Sequence, residues 1–258
     1  MPEVRKSLFV TGAASGIGRA TVELFAARGW LVGAADRDAA GIAAVAAASD
    51  GQEIVPIVLD VADRAGVLEA LAQFGARTGG SLDCLFSNAG IDAKGPFGAM
   101  AWDHVRSVVE VNLLGAMSVI HAALPLLRKA DNALCLSTAS ASAIFGVGGM
   151  AAYSATKHGV RGLTEALSVE LAAEGIRAAD LLPGIIDTGM LAADAKAALP
   201  SEGMWRVMPA QAVAEAAWQA YHGNRLHWYV PAELAELDRQ ASVAPEAIRD
   251  AQIAGKLI

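Results

Sequence analysis

Cysteine, aromatic residues and charge are all scarce in this chain: of 258 residues two are cysteine, 5% are aromatic and 18% are charged. Cys84 and Cys135 lie in apolar runs, Leu82 to Phe86 and Ala133 to Leu136, where a free thiol behaves as a small core residue. With no C-x-x-C pair, neither a disulfide framework nor a zinc site is suggested. The five histidines are scattered, and none has a second ligand type at metal spacing. No metal is expected. Positive charge is short as well, with 20 Lys and Arg against 27 Asp and Glu for a net charge of −7. No basic cluster grips a phosphate backbone, which argues against nucleic acid as a partner. The first residues carry Glu3, Arg5 and Lys6 rather than the apolar stretch of a signal peptide. From Asn132 to Thr156 there is no charged residue, a length that could span a bilayer. Its many hydroxyls and glycines, among them Ser137, Thr138, Ser140, Ser142, Gly146 and Gly148, read instead as strand, loop and helix start. The expectation is a soluble, cytoplasmic protein with no membrane partner.

What the chain does have is apolar bulk, 54% of its residues, and a regular alternation of short apolar runs with longer helical segments. Runs at Leu8 to Thr11, Trp30 to Ala35, Ile54 to Leu59, Leu82 to Phe86, Ala133 to Ser137, Ile176 to Leu181 and His227 to Val230 are read as strands. Helices are expected between them, over Gly16 to Arg28, Arg64 to Thr78, Trp102 to Arg128 and from the region of Tyr153 to Glu174. Such alternation implies βαβ units and a parallel sheet covered on both faces. The predicted fold is α/β, one doubly wound domain over residues 1–258 with about seven parallel strands.

Thr11-Gly12-Ala13-Ala14-Ser15-Gly16-Ile17-Gly18 follows the first strand and opens the first helix. In that position Gly12 can make the tight turn, Gly16 can let a pyrophosphate approach, and Gly18 can permit close helix packing. The helix N-terminus offers free N–H groups and partial positive charge to phosphates. Asp36 ends the second strand, where its carboxylate can accept from both adenosine ribose hydroxyls and would repel a 2′-phosphate. This favours NAD over NADP, although Arg37 beside it could pair with a phosphate. Asp60 ends the third strand, where it can bond the adenine amino group or serve a helix start. Further along, Tyr153 and Lys157 stand four residues apart, on one face of a helix. A lysine ammonium there would lower a phenol pKa that is about 10 in water and fit the tyrosine for proton transfer.

With these residues in place, the chain resembles the short-chain dehydrogenases/reductases of the single-domain type, over about residues 7 to 190. Thr11 to Gly18 matches the family's TGxxxGxG loop. Ser87-Asn88-Ala89-Gly90 matches NNAG except for serine at the first position. Asn112, Ser140 (thirteen residues before the tyrosine), Tyr153 and Lys157 fall at the family's catalytic spacing. Pro183-Gly184 matches the turn after the sixth strand. The resemblance implies a Rossmann-type fold with Tyr153 as general acid/base. It also implies that Lys157 lowers the Tyr153 pKa and binds the nicotinamide ribose, that Ser140 polarises the substrate oxygen, and that Asn112 positions a water reaching Lys157. Asn112 could instead be a satisfied core amide. Cofactor contacts are expected from Gly12, Ser15, Gly16, Ile17, Gly18, Asp36, Asp60, Val61, Asn88, Ala89, Gly90, Tyr153, Lys157, Pro183, Gly184, Ile186 and Thr188.

Ser140, Ser142, Tyr153 and Met190 are the expected substrate contacts, with a lid over about residues 190–205. Met190, Leu191, Leu199, Met204 and Trp205 make that lid largely apolar, whether it lines the pocket or packs on the protein's own surface. The implied activity is NAD(H)-dependent interconversion of a small secondary alcohol and a ketone. The alternatives are an NADPH-dependent 3-oxoacyl reductase and a catalytically silent dinucleotide-binding sensor. The resemblance further implies a homodimer or homotetramer, built on the helices around Trp102 to Arg128 and Ala151 to Glu174. The tail from about residue 232 to 258 is the least family-like part and reads as two short helices.

Overall fold

The computed structural model describes residues 5–49, 51–191, 196 and 199–257. Seven parallel strands form the sheet: β1 (Ser7–Thr11), β2 (Leu31–Asp36), β3 (Ile54–Val58), β4 (Cys84–Ser87), β5 (Leu134–Thr138), β6 (Arg177–Pro183) and, last in chain order, β9 (His227–Val230). Their spatial order is β3-β2-β1-β4-β5-β6-β9. β1, β4 and β5 are buried at every position, which is why they read as continuous apolar runs rather than as an alternation. The order reverses between β1 and β4, and a doubly wound sheet opens its binding crevice at the carboxyl ends of such a pair.

Helices cover both faces. On one lie α1 (Gly16–Ala27), α2 (Ala39–Ala47) and α7 (Ala210–His222), packed through Phe25, Ile42, Val45, Val213 and Tyr221. On the other lie α3 (Arg64–Arg77), α4 (Trp102–Val109), α5 (Ala116–Leu127) and α6 (Ala151–Glu170), with Phe74, Val119, Ile120 and Leu127 in the second core. Local chemistry sets the helix ends. Asp38 caps α2 by accepting from the Gly41 N–H, and Asp63 caps α3 by accepting from the Ala65 N–H. After α6 a short 3-10 turn ends on Gly175 in the left-handed region at φ 72°.

The expected helix from Trp102 to Arg128 differs in one respect: between α4 and α5, Glu110–Gly115 winds as a π-helix. One extra residue in a turn is the usual sign of a helix bent to serve a site. The whole stretch Trp102–Leu127 is long and apolar enough to cross a membrane by length and composition, with 39% of its most apolar window buried. Here it lies against β4, β5 and α3 as an outer layer of the sheet.

Two features were not foreseen. Ile186–Asp187 (β7) and Met208–Pro209 (β8) form a separate parallel pair, tying together the two ends of the expected lid. Of that lid, residues 192–195 and 197–198 lie outside the described residues. The tail forms α8 (Leu234–Val243) and α9 (Pro245–Ile253), close to the two short helices expected. It folds back on its own subunit: the Gln252 side chain accepts from the Gly148 N–H (3.2 Å) and donates to the Gly146 carbonyl (3.0 Å). Arg161 of α6 makes two 2.9 Å bonds to the carboxylate of Asp238 in α8.

Candidate active site

A cleft of about 820 Å³ opens at the carboxyl ends of the strands, and the glycine loop, Asp36, Ser140, Tyr153, Lys157 and Met190 all line it. The β1–α1 loop forms its floor because only glycine fits there. Gly12 sits at φ 69°, and a Cβ on it would meet the Ala89 Cα at 2.9 Å. A Cβ on Gly18 would fall 2.0 Å from the Gly12 carbonyl oxygen. Unlike α2 and α3, α1 has no side-chain cap. Its first N–H groups therefore stay available to phosphate oxygens. The residues present thus fit a dinucleotide.

Asn88 fastens this floor to the rest of the sheet. Its amide donates to the Thr11 carbonyl (3.0 Å) and its oxygen accepts from the Thr138 hydroxyl (3.0 Å). In return the Thr11 hydroxyl accepts from the N–H groups of Asn88 (3.0 Å) and Ala89 (3.1 Å). One side chain therefore joins the ends of β1, β4 and β5. Ser87, at the family's asparagine position, is a buried strand residue opposite Ser137.

Asp36 lines the cleft with both carboxylate oxygens already engaged, one by the Ala14 N–H (2.9 Å) and the other by the Asp38 N–H (3.0 Å). These bonds fix its orientation and leave further lone pairs for ribose hydroxyls. Arg37 lines the cleft beside it. Asp60 accepts from the Ala62 N–H (2.9 Å), so it shapes the turn before α3, while the helix cap itself is Asp63. Ser15, Ile17, Val61, Gly90, Pro183, Gly184, Ile186 and Thr188 also line the cleft. Gly18 does not. It acts from behind by letting the loop close.

The proton-handling group lies at the cleft's other end. The Ser140 hydroxyl accepts from the Ser142 N–H (3.1 Å), which turns its own proton outward as a donor. Ser142 also lines the cleft, as expected. The Lys157 ammonium, fully buried, donates to the Thr138 carbonyl (2.8 Å) and lies 5.6 Å from the Tyr153 ring centroid. Burial lowers the Lys157 pKa to about 8.

The Tyr153 phenol is under opposing influences. Burial pushes the phenol up, the Ser140 hydrogen bond opposes it, and the charge of Asp92 pushes the same way as burial. The net direction is upward, with the Lys157 ammonium directed to the Thr138 carbonyl. The Asn112 side chain is engaged within the protein. Its oxygen accepts from the Ile91 N–H (2.8 Å) and its amide donates to the Ile91 carbonyl (2.9 Å) and the Thr156 hydroxyl (3.3 Å). This buried side chain is a satisfied core amide that pins the strand-exit loop to the π-helical turn.

Several cleft residues escaped the sequence reading: Leu59, Ile91, Asp92, Lys94 and Val111. Asp92 and Lys94 carried a signal, since two charges directly follow the Asn88-Ala89-Gly90 motif in an otherwise apolar region. Apolar wall comes from Phe145, Val147, Met150, Leu191 and Trp205, with Trp205 edge-on to Phe145 at 6.3 Å between ring centroids. The lid's Trp205 therefore faces the cleft.

Sequence and structure comparisons agree with this geometry. Residues 6–198 match the short chain dehydrogenase family. Levodione reductase of Leifsonia aquatica is 35% identical over 189 residues, spanning 71% of this chain and 70% of that protein. The 2,5-dichloro-2,5-cyclohexadiene-1,4-diol dehydrogenase of Sphingobium indicum is 37% identical over 189 residues, 72% of this chain and 74% of that one. Among solved structures, the 3-ketoacyl-(acyl-carrier-protein) reductase of Brucella melitensis complexed with NADH superposes with a TM-score of 0.79. It is 28% identical and covers 88% of this chain and 98% of its own. With the family's motifs gathered around one cleft, this chain belongs to the short-chain dehydrogenases, oxidoreductases that interconvert alcohols and carbonyls.

Proposed function

We propose that the protein is an NAD-preferring dehydrogenase of small secondary alcohols that also reduces the matching ketones. The observation that carries this reading is the convergence of Ser140, Tyr153 and Lys157 on the cleft that the glycine loop and Asp36 also line. Bound there, a nicotinamide dinucleotide supplies the hydride acceptor or donor. Gly12, Ser15, Gly16, Ile17 and the N-terminus of α1 hold the pyrophosphate. Asp36 takes the adenosine ribose, Asp60 and Val61 flank the adenine, and the backbone from Asn88 to Gly90 and from Pro183 to Thr188 lines the remainder.

During oxidation Tyr153 takes the proton of the substrate hydroxyl as hydride leaves the carbinol carbon. In reduction the phenol returns that proton to the carbonyl oxygen. Burial raises the phenol pKa, which suits the acid role in reduction, while oxidation needs the phenolate and is favoured as pH rises. Ser140 donates to the substrate oxygen where negative charge develops, and Ser142 and Met190 bound the substrate. Lys157 holds the nicotinamide ribose. Any water relay past Asn112 uses its backbone, since its amide is taken by Ile91 and Thr156.

The same reading takes residues 1–258 as one domain, with a lid at about 190–205 and a tail at 232–258. It works as a homotetramer or homodimer in the cytoplasm, in keeping with its unpaired thiols. Exposed Trp102, Leu114 and Met117 on the α4–α5 helix supply apolar surface for that assembly. A second reading, an NADPH-dependent 3-oxoacyl reductase, draws on Arg37 in the cleft for the cofactor and on the Brucella relative for the substrate, although that structure holds NADH.

The test is a panel of secondary alcohols and ketones followed by NADH absorbance, with Tyr153→Phe beside the wild type. The variant should lose at least about a thousandfold in kcat while binding NADH as before. Substantial residual turnover would remove Tyr153 from its role. Turnover confined to 3-oxoacyl thioesters with NADPH would favour the second reading.

A further inference from the structure

The cleft contains a charged pair that the dehydrogenase motifs leave unused. Asp92 and Lys94 flank Ala93, which is fully buried against Val105, Val108 and Ala152. That anchor sets both charges in the cleft wall. Asp92 Oδ2 pairs with the Lys94 ammonium at 2.9 Å. Lys94 also donates to the Met190 carbonyl at 2.9 Å, at the start of the lid. Asp92 Oδ1 has no hydrogen-bond partner among the described residues, and the Asp92 charge reaches the Tyr153 phenol.

Much of the remaining wall at this end is apolar, from Phe145, Val147, Met150, Leu191 and the Trp205 ring, with the Ser142 hydroxyl and the Trp205 indole N–H as neutral polar groups among them. A carboxylate oxygen facing a purely hydrocarbon substrate would lose its water and gain nothing. A second hydroxyl on the substrate would replace that water with a charge-assisted hydrogen bond. An anionic substrate would meet the Asp92 charge, while the compensating ammonium is already held by Asp92 and Met190.

We propose that Asp92 selects the substrate by accepting a hydrogen bond from a second hydroxyl, so that the preferred substrates are neutral diols and hydroxyketones. Their reacting oxygen lies at Ser140 and Tyr153, their second hydroxyl at Asp92, and their carbon frame against the apolar wall. This rests on the dehydrogenase reading above. Lys94 acts as a positioning residue that fixes Asp92 and ties it to the lid.

The experiment compares matched pairs with NAD: cis- and trans-1,2-cyclohexanediol against cyclohexanol, and 2,3-butanediol isomers against 2-butanol. Wild type, Asp92→Leu and Asp92→Asn are assayed, with circular dichroism and NADH titration confirming fold and cofactor site. Wild type should favour the diol in kcat/KM. Asp92→Leu should lower the diol to mono-alcohol ratio in kcat/KM by roughly ten- to a hundredfold, the range for a hydrogen bond to a charged group; the ratio is the readout because loss of the Asp92 charge at Tyr153 acts on both substrates alike. Asp92→Asn, which keeps an acceptor without the charge, should fall between and covers the case of a poorly folding leucine variant. A diol to mono-alcohol ratio that no Asp92 variant moves overturns the proposal alone. Wild-type turnover of neither class, with NADH still binding, overturns the dehydrogenase reading and this proposal together.

Discussion

The two ends of the cleft are built by different means. At the cofactor end, backbone meets backbone, Gly12 against Ala89 and Gly18 against the Gly12 carbonyl, and one side chain, Asn88, stitches the ends of the strands together. At the substrate end, side chains meet side chains: Asp92 with Lys94 and Phe145 with Trp205. Backbone contacts allow few substitutions, so that end is spelled in recognisable motifs. Side-chain contacts can be replaced by many others of similar shape or charge. The cofactor end therefore reports the class of reaction, and the substrate end reports the individual protein.

The largest effect that would break this contrast comes from Gly18→Ala. A methyl group 2.0 Å from the Gly12 carbonyl and 2.9 Å from the Asn88 amide must displace the loop. NADH affinity should fall by about a hundredfold or more in a fluorescence titration. Near wild-type affinity would show that the loop yields easily and that the cofactor end is no stiffer than the other.

Arg161→Ala tests the layer behind the substrate end, where Arg161 holds the Ala143 carbonyl and the Asp238 carboxylate. It strips Asp238, 8% exposed, of its ion-pair partner and leaves only the Tyr229 hydroxyl. The Asp238 carboxyl is held below its usual pKa by Arg161 and Tyr229, against the pull of burial. Because the pair is partly solvated, urea unfolding should show a loss of about 2–3 kcal/mol rather than the full value of a buried pair. NADH affinity should stay within about twofold to threefold. A large loss of affinity would mean that the two ends are coupled through α6.

The smallest expected effect is on cofactor choice. Asp36→Asn keeps only one of the two acceptor oxygens that the Ala14 and Asp38 N–H groups use, and it removes the charge that repels a 2′-phosphate, so the NADPH to NADH affinity ratio should rise about tenfold. No change in the ratio would shift the discrimination from Asp36 to Arg37.

Much of this was legible beforehand. β9 spans His227–Val230 as predicted, and the glycine loop, Asp36, Ser140, Tyr153 and Lys157 do share one cleft. Apolar runs and motif spacing are local quantities, and a sequence displays them directly. The β7–β8 pair has two residues per strand, too short for any periodicity. The π-helical turn at Glu110–Gly115 leaves the same apolar pattern as an ordinary helix.

The sequence by itself determined the alternating order of strands and helices, the dinucleotide loop and the reaction class, because each rests on residues close together in the chain. Tertiary structure decided what those residues experience. Asn112 bonds Ile91, 21 positions away, and Lys157 bonds Thr138, 19 positions away. Lys94 reaches Met190 across 96. Whether burial or a neighbouring charge governs the Tyr153 phenol depends on such distant partners. So does the presence of the Asp92 carboxylate in the cleft wall, which only the folded chain places there.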